Sequence, residues 1–142
     1  MDVDNRTDIE FDMDKALEVE KLLKVDNFEL IFVNNEEMRE INREFRGMDK
    51  STDVLSFPLE PTPMDTSLGS VVINLELALE ISKRIGHKLE DEAALLLVHG
   101  ILHLQGYDHE IDSGEMRELE GSLLERLGID KGLIERSFEI GD

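Results

Sequence analysis

A chain of 142 residues, 40% of them hydrophobic, is long enough to bury the core of one domain, which excludes intrinsic disorder as the expected state. It contains no cysteine, so disulfide bonds and thiolate metal sites are excluded. The formal net charge of −19 repels phosphates at long range and argues against a broad nucleic-acid-binding surface. Salt screens this field over about 8 Å, so a local cleft that holds cations can still attract a phosphate.

The amino-terminal segment and the overall hydropathy indicate a cytoplasmic protein. The segment MDVDNRTDIEFD is acidic and has no apolar stretch, so it is not a secretory signal peptide. The longest apolar run, AALLLV, is far short of the roughly 20 residues that cross a bilayer. No repeat and no linker rich in Gly, Ser or Pro divides the chain, so we expect one domain over residues 1–142 and no membrane partner.

The first elements predicted along the chain are a short strand, a helix and a buried strand. The short strand is placed around residues 5–12, and the helix over residues 13–23, where apolar residues recur at helical spacing. The apolar side of this helix is predicted to comprise Met13, Ala16, Leu17 and Leu23. Residues 28–33, FELIFV, are almost continuously apolar, as in a strand that is covered on both faces.

A second helix is predicted directly after this buried strand. Asn34 stands three residues before Glu37, which is a capping pair, and Gly47 is expected to end the helix. The face that packs on the sheet is predicted to comprise Met38, Ile41 and Phe45.

Two strands and three helices follow. Residues 52–58, TDVLSFP, are rich in β-branched and aromatic residues and end at a proline, which predicts a strand near a sheet edge. Another strand is predicted over residues 67–74. Helices are predicted over residues 75–85, 89–105 and 112–128. The second of these is expected to be buried on one face, and the apolar stripe of the third is predicted to comprise Met116, Leu119, Leu123 and Leu127.

The order of these elements predicts the fold class. Strands come early and helices dominate late, so we predict an α+β fold in which a small mixed β-sheet is packed by about five helices.

Three of the four histidines fall within eleven residues, in the segment HGILHLQGYDH. His99 and His103 are one helical turn apart and share a face, so both imidazoles can reach one ion. Gly106 allows the chain to leave the helix sharply, because glycine accepts a positive φ. The turn that follows can bring His109 back to the same point. The spacing therefore predicts a zincin-like three-histidine metal site, against the alternative of three unrelated polar residues.

Zinc is the expected metal, because neutral imidazoles suit it, although nickel, copper or iron remain compatible with nitrogen ligands. Three protein ligands leave one coordination position open, which is the catalytic pattern. We therefore expect a metal-activated water and a hydrolytic reaction.

Gly100 distinguishes this segment from the zinc metalloproteases. In the motif H-E-x-x-H-x-x-G-x-x-H, a glutamate follows the first histidine and serves as the general base. This chain has Gly100 at that place, which argues against a peptidase. Phosphodiester cleavage needs less help, since RNA supplies its own 2′-hydroxyl as a nucleophile.

Two segments together resemble a known family. HGILHLQGYDH and, upstream, INREFRGMDKSTDVLSFP are similar to the paired signatures of the YbeY family, the bacterial rRNA-maturation endoribonucleases. The first segment matches the family pattern H-G-x-L-H-L-x-G-y-D-H at every fixed position. In the second, Ile41 replaces a leading leucine. The resemblance covers most of the chain.

The resemblance implies a single-domain, metal-dependent hydrolase of the cytoplasm that cleaves single-stranded RNA. It implies roles in the maturation of the 3′ end of small-subunit rRNA and in ribosome quality control, with the small ribosomal subunit or a ribosomal protein as partner. It also implies that His99, His103 and His109 hold one Zn²⁺ ion.

The resemblance assigns further roles around the metal. Arg46 falls on the family's functional arginine, which is expected to contact the RNA phosphate. Asp108 is expected either to orient an imidazole or the bound water, or to serve only as a turn residue. Within the same signature, Asp53 is expected to anchor backbone amides at a strand start, and Ser56 to face the cleft. His87 matches no motif and is predicted to be an exposed connector residue.

The chain departs from the family at Ser70, where many members have an aspartate after a glycine. Two other functions stay open at this point. One is a peptidase or other small-substrate metallohydrolase. The other is a non-catalytic ribosome assembly factor whose metal is structural.

Overall fold

The computed structural model describes residues 1–129, which form a four-stranded mixed sheet and five helices. This confirms the predicted α+β class. The strands are β1 (Asp2–Asn5), β2 (Glu29–Val33), β3 (Val54–Pro58) and β4 (Gly69–Asn74). The helices are α1 (Asp14–Leu23), α2 (Asn35–Arg46), α3 (Leu75–Ile85), α4 (Leu89–Leu104) and α5 (Glu115–Arg126). The last part of the predicted domain, residues 130–142, lies outside the described residues.

The sheet has the strand order β1-β2-β4-β3. β1, β2 and β4 are parallel neighbours, and β3 runs antiparallel to β4 at the edge, as its proline predicted. The prediction of a strand around residues 5–12 was wrong, because β1 ends at Asn5. The side-chain oxygen of Asn5 accepts the backbone N–H of Thr7 in a local turn that takes the chain away from the sheet.

Helix α4 is the centre of the fold. Every residue from 92 to 102 is buried, because the sheet covers one side of the helix and α1, α3 and α5 cover the others. The prediction that only one face is buried was therefore wrong. A helix that is apolar on all sides is typical of a core position rather than a surface one.

Both faces of the sheet are covered. The larger apolar cluster lies between the sheet and α4 and includes Leu30, Phe32 and Val71. A smaller cluster on the opposite face joins Val33 and other strand residues to α2. This confirms the prediction that the segment FELIFV is buried from both sides. Between residues 1 and 129, no helix is both long enough and apolar enough to span a bilayer.

Helix α2 begins where its cap predicts, since the side chain of Asn34 accepts the backbone N–H of Glu37 at 3.0 Å. Its predicted apolar face is only partly correct. Met38 is fully buried, but Phe45 is 64% exposed and packs edge-on against the ring of Phe57. In α1, Leu17 is likewise half exposed, and the buried positions are Ala16 and Val19.

The stripe predicted for α5 is confirmed. Met116, Leu123 and Leu127 are buried, and Leu119 packs against the same core. The stripe also contains a charged residue that the prediction omitted, Glu120, which is 1% exposed.

Candidate metal centre

A cleft opens between the carboxyl end of α4 and the edge strand β3. One wall consists of the helix end and the turn after it, from His99 to Glu110, and the other of residues 52–56 with Arg46 above them. The residues that the sequence singled out on two distant segments thus face each other across one cavity.

The three histidines meet on the first of these walls. The Nε2 atoms of His99 and His103 are 3.2 Å apart, and each of the three rings offers a nitrogen within 4.8 Å of the others. Tetrahedral zinc with bonds of 2.0–2.1 Å separates its ligand nitrogens by about 3.3 Å. The spacing of His99 and His103 therefore already fits a shared ion.

The turn after α4 brings His109 into the group. The backbone N–H of Gly106 donates to the carbonyl of His103, and that of Tyr107 donates to the carbonyl of Leu102. These two bonds form a Schellman motif, which requires the left-handed conformation that Gly106 adopts at φ 97°. The ring of His109 then lies 5.6 Å from that of His99, between centroids. The predicted reversal at Gly106 is confirmed.

The chemistry of the donors fits a divalent transition metal. Nδ1 of His109 is buried and has no hydrogen-bond partner among the described residues, although a buried ring nitrogen normally has one. Burial and the neighbouring His99 ring lower the pKa of His103, which favours the neutral imidazole that metals bind. Within residues 1–129, the group consists of these three side chains, so a fourth position would remain open to substrate or water.

A buried carboxylate lies behind the first histidine. Nδ1 of His99 is 3.0 Å from Oε1 of Glu120 on α5, and both side chains are almost completely buried. The sequence analysis missed Glu120. A signal was available, because a glutamate one turn after Met116 in an apolar stripe is expected to have a buried polar partner.

Gly100 packs against the sheet and not towards the histidines. A Cβ atom at this position would lie 2.6 Å from Cγ1 of Val71 and 3.2 Å from Oγ of Ser56. The hydroxyl of Ser56 donates to the carbonyl of Gly100 at 3.0 Å, which joins β3 to α4 at this contact. A glutamate at position 100 would therefore require the helix to move off the sheet.

Arg46 lies on the opposite wall of the cleft from the histidines. Its Nη2 donates to the carbonyl of Ser56 at 2.7 Å, and its guanidinium carbon is 5.5 Å from the centre of the Phe57 ring. Ser56 belongs to the free edge of the sheet, so this hydrogen bond holds the arginine across the end of β3. Among residues 1–129, this is the one hydrogen bond of the Arg46 side chain, so its other donors can face a ligand in the cleft.

Two other signature residues have the structural contacts that were predicted. Asp53 accepts the backbone N–H of Val54 at 2.8 Å at the start of β3. Burial raises the pKa of Asp53, and its hydrogen bond to the backbone of Val54 only partly opposes this. Ser56 lines the cleft as expected.

Asp108 lines the cleft beside His109, where one carboxylate oxygen accepts the backbone N–H of Glu110 at 3.0 Å. Its backbone carbonyl accepts the N–H groups of Ile111 and Asp112. These bonds are those of a turn residue, and a catalytic role for Asp108 stays a prediction.

Two residues outside the cleft were also singled out in the sequence. Ser70, where the chain departs from the family, donates to Glu29 and lies on the sheet face opposite to α4, because its neighbour Val71 contacts Gly100. The departure therefore leaves the cleft unchanged. His87 was predicted to be exposed, but it is half-buried, with Nε2 2.8 Å from Oε1 of the buried Glu92.

The cleft thus combines three imidazoles, a carboxylate behind one of them and an arginine on the opposite wall. This is the arrangement of a metal-dependent hydrolase. Comparison with known proteins names the family. The family model described as "Endoribonuclease YbeY" matches residues 2–128, and the chain belongs to the YbeY family.

Relatives are similar to this chain over almost its full length. The chain is 51% identical over 141 residues to the endoribonuclease YbeY of Helicobacter pylori (strain Shi470), covering 96% of this chain and 98% of that protein. It is 47% identical over 137 residues to the one from Nautilia profundicola, with the same coverage. The solution structure of TM1509 from Thermotoga maritima is similar as well, with a TM-score of 0.62, 29% identity and 88% of each chain covered.

Proposed function

We propose that this protein is a zinc-dependent, single-strand-specific endoribonuclease that acts in the cytoplasm as one domain over residues 1–142. Its proposed tasks are maturation of the 3′ end of small-subunit rRNA and ribosome quality control, with the small ribosomal subunit or a ribosomal protein as partner. The observation that carries this proposal is the presence of the three histidines and Arg46 in one cleft.

His99, His103 and His109 are the proposed ligands. An ion held by these residues would supply Lewis-acid stabilisation of negative charge on a phosphate oxygen. Nitrogen-only ligands favour zinc, and nickel or another divalent metal would also fit.

Arg46 is the proposed phosphate ligand. A guanidinium presents a planar set of donors that matches two phosphate oxygens. Because Ser56 already holds one of its nitrogens, the group loses little freedom when a phosphate binds. Because Arg46 and the histidines line the same cleft from opposite sides, the proposed site of the scissile phosphate is between the two.

The charges in the cleft explain how an acidic protein can bind RNA. Three carboxylates, those of Asp53, Asp108 and Glu110, line the cleft together with Arg46. Without a metal ion, these carboxylates would outnumber the single positive charge of Arg46 and repel a phosphate. A divalent ion at the histidines offsets most of that negative charge, so RNA binding is expected to require metal.

The position of Gly100 supports RNA over peptide as substrate. The residue that would carry a metalloprotease general base is packed against Val71, so α4 offers no base there. An RNA strand brings its 2′-hydroxyl as nucleophile. The role that we propose for Asp108 is to orient His109 or a nearby water molecule. The other alternative, an assembly factor with a structural metal, predicts binding to ribosomal subunits without any cleavage.

The test is metal content together with cleavage of single-stranded RNA. Purified wild type is expected to carry about one metal ion per chain and to cut RNA. His103→Ala is expected to lose at least about 100-fold in metal affinity, since even an outer partner of a ligand contributes 10–100-fold, and to lose cleavage with it. His87→Ala is the matched control, because it removes a half-buried histidine that is outside the cleft. Cleavage by metal-free His103→Ala at the wild-type rate would contradict the proposal.

A further inference from the structure

Glu120 is an unusual residue for the core of a protein. Its side chain is 1% exposed on the inner face of α5, in the same stripe as Met116 and Leu124. An isolated buried carboxylate costs several kcal/mol, so such residues persist where a specific partner compensates the charge.

One partner of Glu120 is His99, which belongs to the proposed metal centre. Oε1 of Glu120 faces Nδ1 of His99 at 3.0 Å. A carboxylate without a proton only accepts hydrogen bonds, so this contact is a hydrogen bond when Nδ1 of the ring is the donor. The neutral ring then has its lone pair on Nε2, and Nε2 is the atom that faces His103 at 3.2 Å. The pair therefore leaves the correct nitrogen of His99 free for an ion.

The position of Glu120 also fixes the orientation of the ring. α5 packs on α4, and its neighbouring stripe residues Met116 and Leu124 are fully buried in the common core. The carboxylate is thus held by the packing of a second helix, and His99 does not depend on α4 alone for its direction.

We propose that Glu120 is a positioning residue that holds His99 in the Nδ1–H tautomer and directs its Nε2 to the metal. This inference rests on the proposed metal site. It adds α5 to the functional machinery, because the metal affinity of the cleft then depends on a helix that does not line it.

The protein contains a second imidazole–carboxylate pair that serves as an internal control. Glu92 is fully buried on α4, and its Oε1 lies 2.8 Å from Nε2 of His87. His87 is not in the three-histidine group. Removing either carboxylate disturbs an imidazole–carboxylate pair, but only the removal of Glu120 should change metal binding.

The experiment is titration of the metal-free protein with Co²⁺, followed by its visible absorption. Glu120→Met, similar in size but without an acceptor, is expected to bind Co²⁺ 10–100-fold more weakly than wild type and to change the absorption band. Glu120→Gln keeps an acceptor oxygen and is expected to restore most of the affinity. Glu92→Met is expected to bind like wild type, whatever its melting temperature. Equal affinity of Glu120→Met and wild type would overturn the proposal.

A second measurement needs no variant. Nitrogen-15 spectra of the histidine rings in the metal-free protein are expected to show His99 as the Nδ1–H tautomer, and an Nε2–H tautomer would overturn the inference even if Glu120→Met failed to fold. If wild type bound no Co²⁺ while His99 showed the expected tautomer, the metal proposal would fail, and only the assignment of the His99 tautomer to Glu120 would stand.

Discussion

The two walls of the cleft are built in opposite ways. On the histidine wall, His99 is 6% exposed, and Glu120, which lies behind it outside the cleft, is 1% exposed. Both belong to the packed contact of α4 with α5. On the other wall, Arg46 is exposed at the end of α2 and is held by one hydrogen bond to Ser56 and by the Phe57 ring. Metal binding should therefore depend on the core, and phosphate binding on a few surface contacts.

This difference makes the two walls separable by mutation. A substitution of Arg46 should change catalysis and leave stability and metal affinity alone. A substitution beneath the histidine wall should change stability first. Three substitutions probe that separation, in order of decreasing expected effect.

Arg46→Ala should slow RNA cleavage by about 100-fold or more, as the removal of one transition-state donor does in other enzymes. Because Arg46 is exposed, the melting temperature and the metal content should stay at wild-type values. The measurements are single-turnover cleavage, metal analysis and thermal unfolding.

Arg43→Ala is the control for charge, since Arg43 is an exposed arginine on the same turn of α2 that does not line the cleft. It should cleave at nearly the wild-type rate. Cleavage by Arg46→Ala at the wild-type rate would refute the phosphate role, and loss of its metal would refute the separation of the two walls.

Gly100→Ala should lower the free energy of unfolding by about 1–3 kcal/mol, because its Cβ would collide with Val71 where α4 packs on β4. Denaturant unfolding of the metal-free protein measures this effect. In a Val71→Ala background, Gly100→Ala should lower the free energy of unfolding by less, since the methyl groups that contact its Cβ are gone.

Gly121→Ala is the matched control, because Gly121 lies in α5 and, among residues 1–129, no atom of another element lies within 4 Å of the place that its added methyl group would take. There, alanine should stabilise the helix by up to about 1 kcal/mol through its higher helix propensity. If Gly100→Ala were as stable as wild type, the close contact of α4 with the sheet would not explain why position 100 is a glycine.

Asp53→Asn should raise the stability of the metal-free protein at neutral pH by less than Gly100→Ala lowers it. Burial raises the pKa of Asp53 above 3.8, so the folded state binds its proton more tightly than the unfolded state. The cost of the buried charge is complete above the raised pKa and disappears as the pH falls to 3.8. The difference in melting temperature between variant and wild type should therefore shrink with falling pH.

Asp49→Asn should show the opposite sign. Arg39 lowers the pKa of the exposed Asp49 carboxyl by a hydrogen bond, so that wild type should be slightly favoured at neutral pH and lose this advantage on acidification. The same sign for both variants would contradict the burial of Asp53 as the cause of its raised pKa.

Local signals predicted most elements of the fold. The cap at Asn34, the proline that places β3 at the edge and the stripe on α5 were each correct, because each depends on residues within one element. The errors came from contacts between elements. Leu17 and Phe45 fit a helical stripe, but their positions face solvent once α1 and α2 dock.

The sequence by itself determined the three histidines and the turn at Gly106, because ligand spacing and a glycine turn are encoded within eleven consecutive residues. Together with a second segment upstream, these residues also indicated the family. Only the tertiary structure decided what surrounds them. Glu120 meets His99 across 21 positions of the chain, Ser56 meets Gly100 across 44, and Val71 excludes a side chain at position 100. Such contacts follow from how helices and sheet pack, since proximity between distant segments is set by the shared core rather than by spacing along the chain.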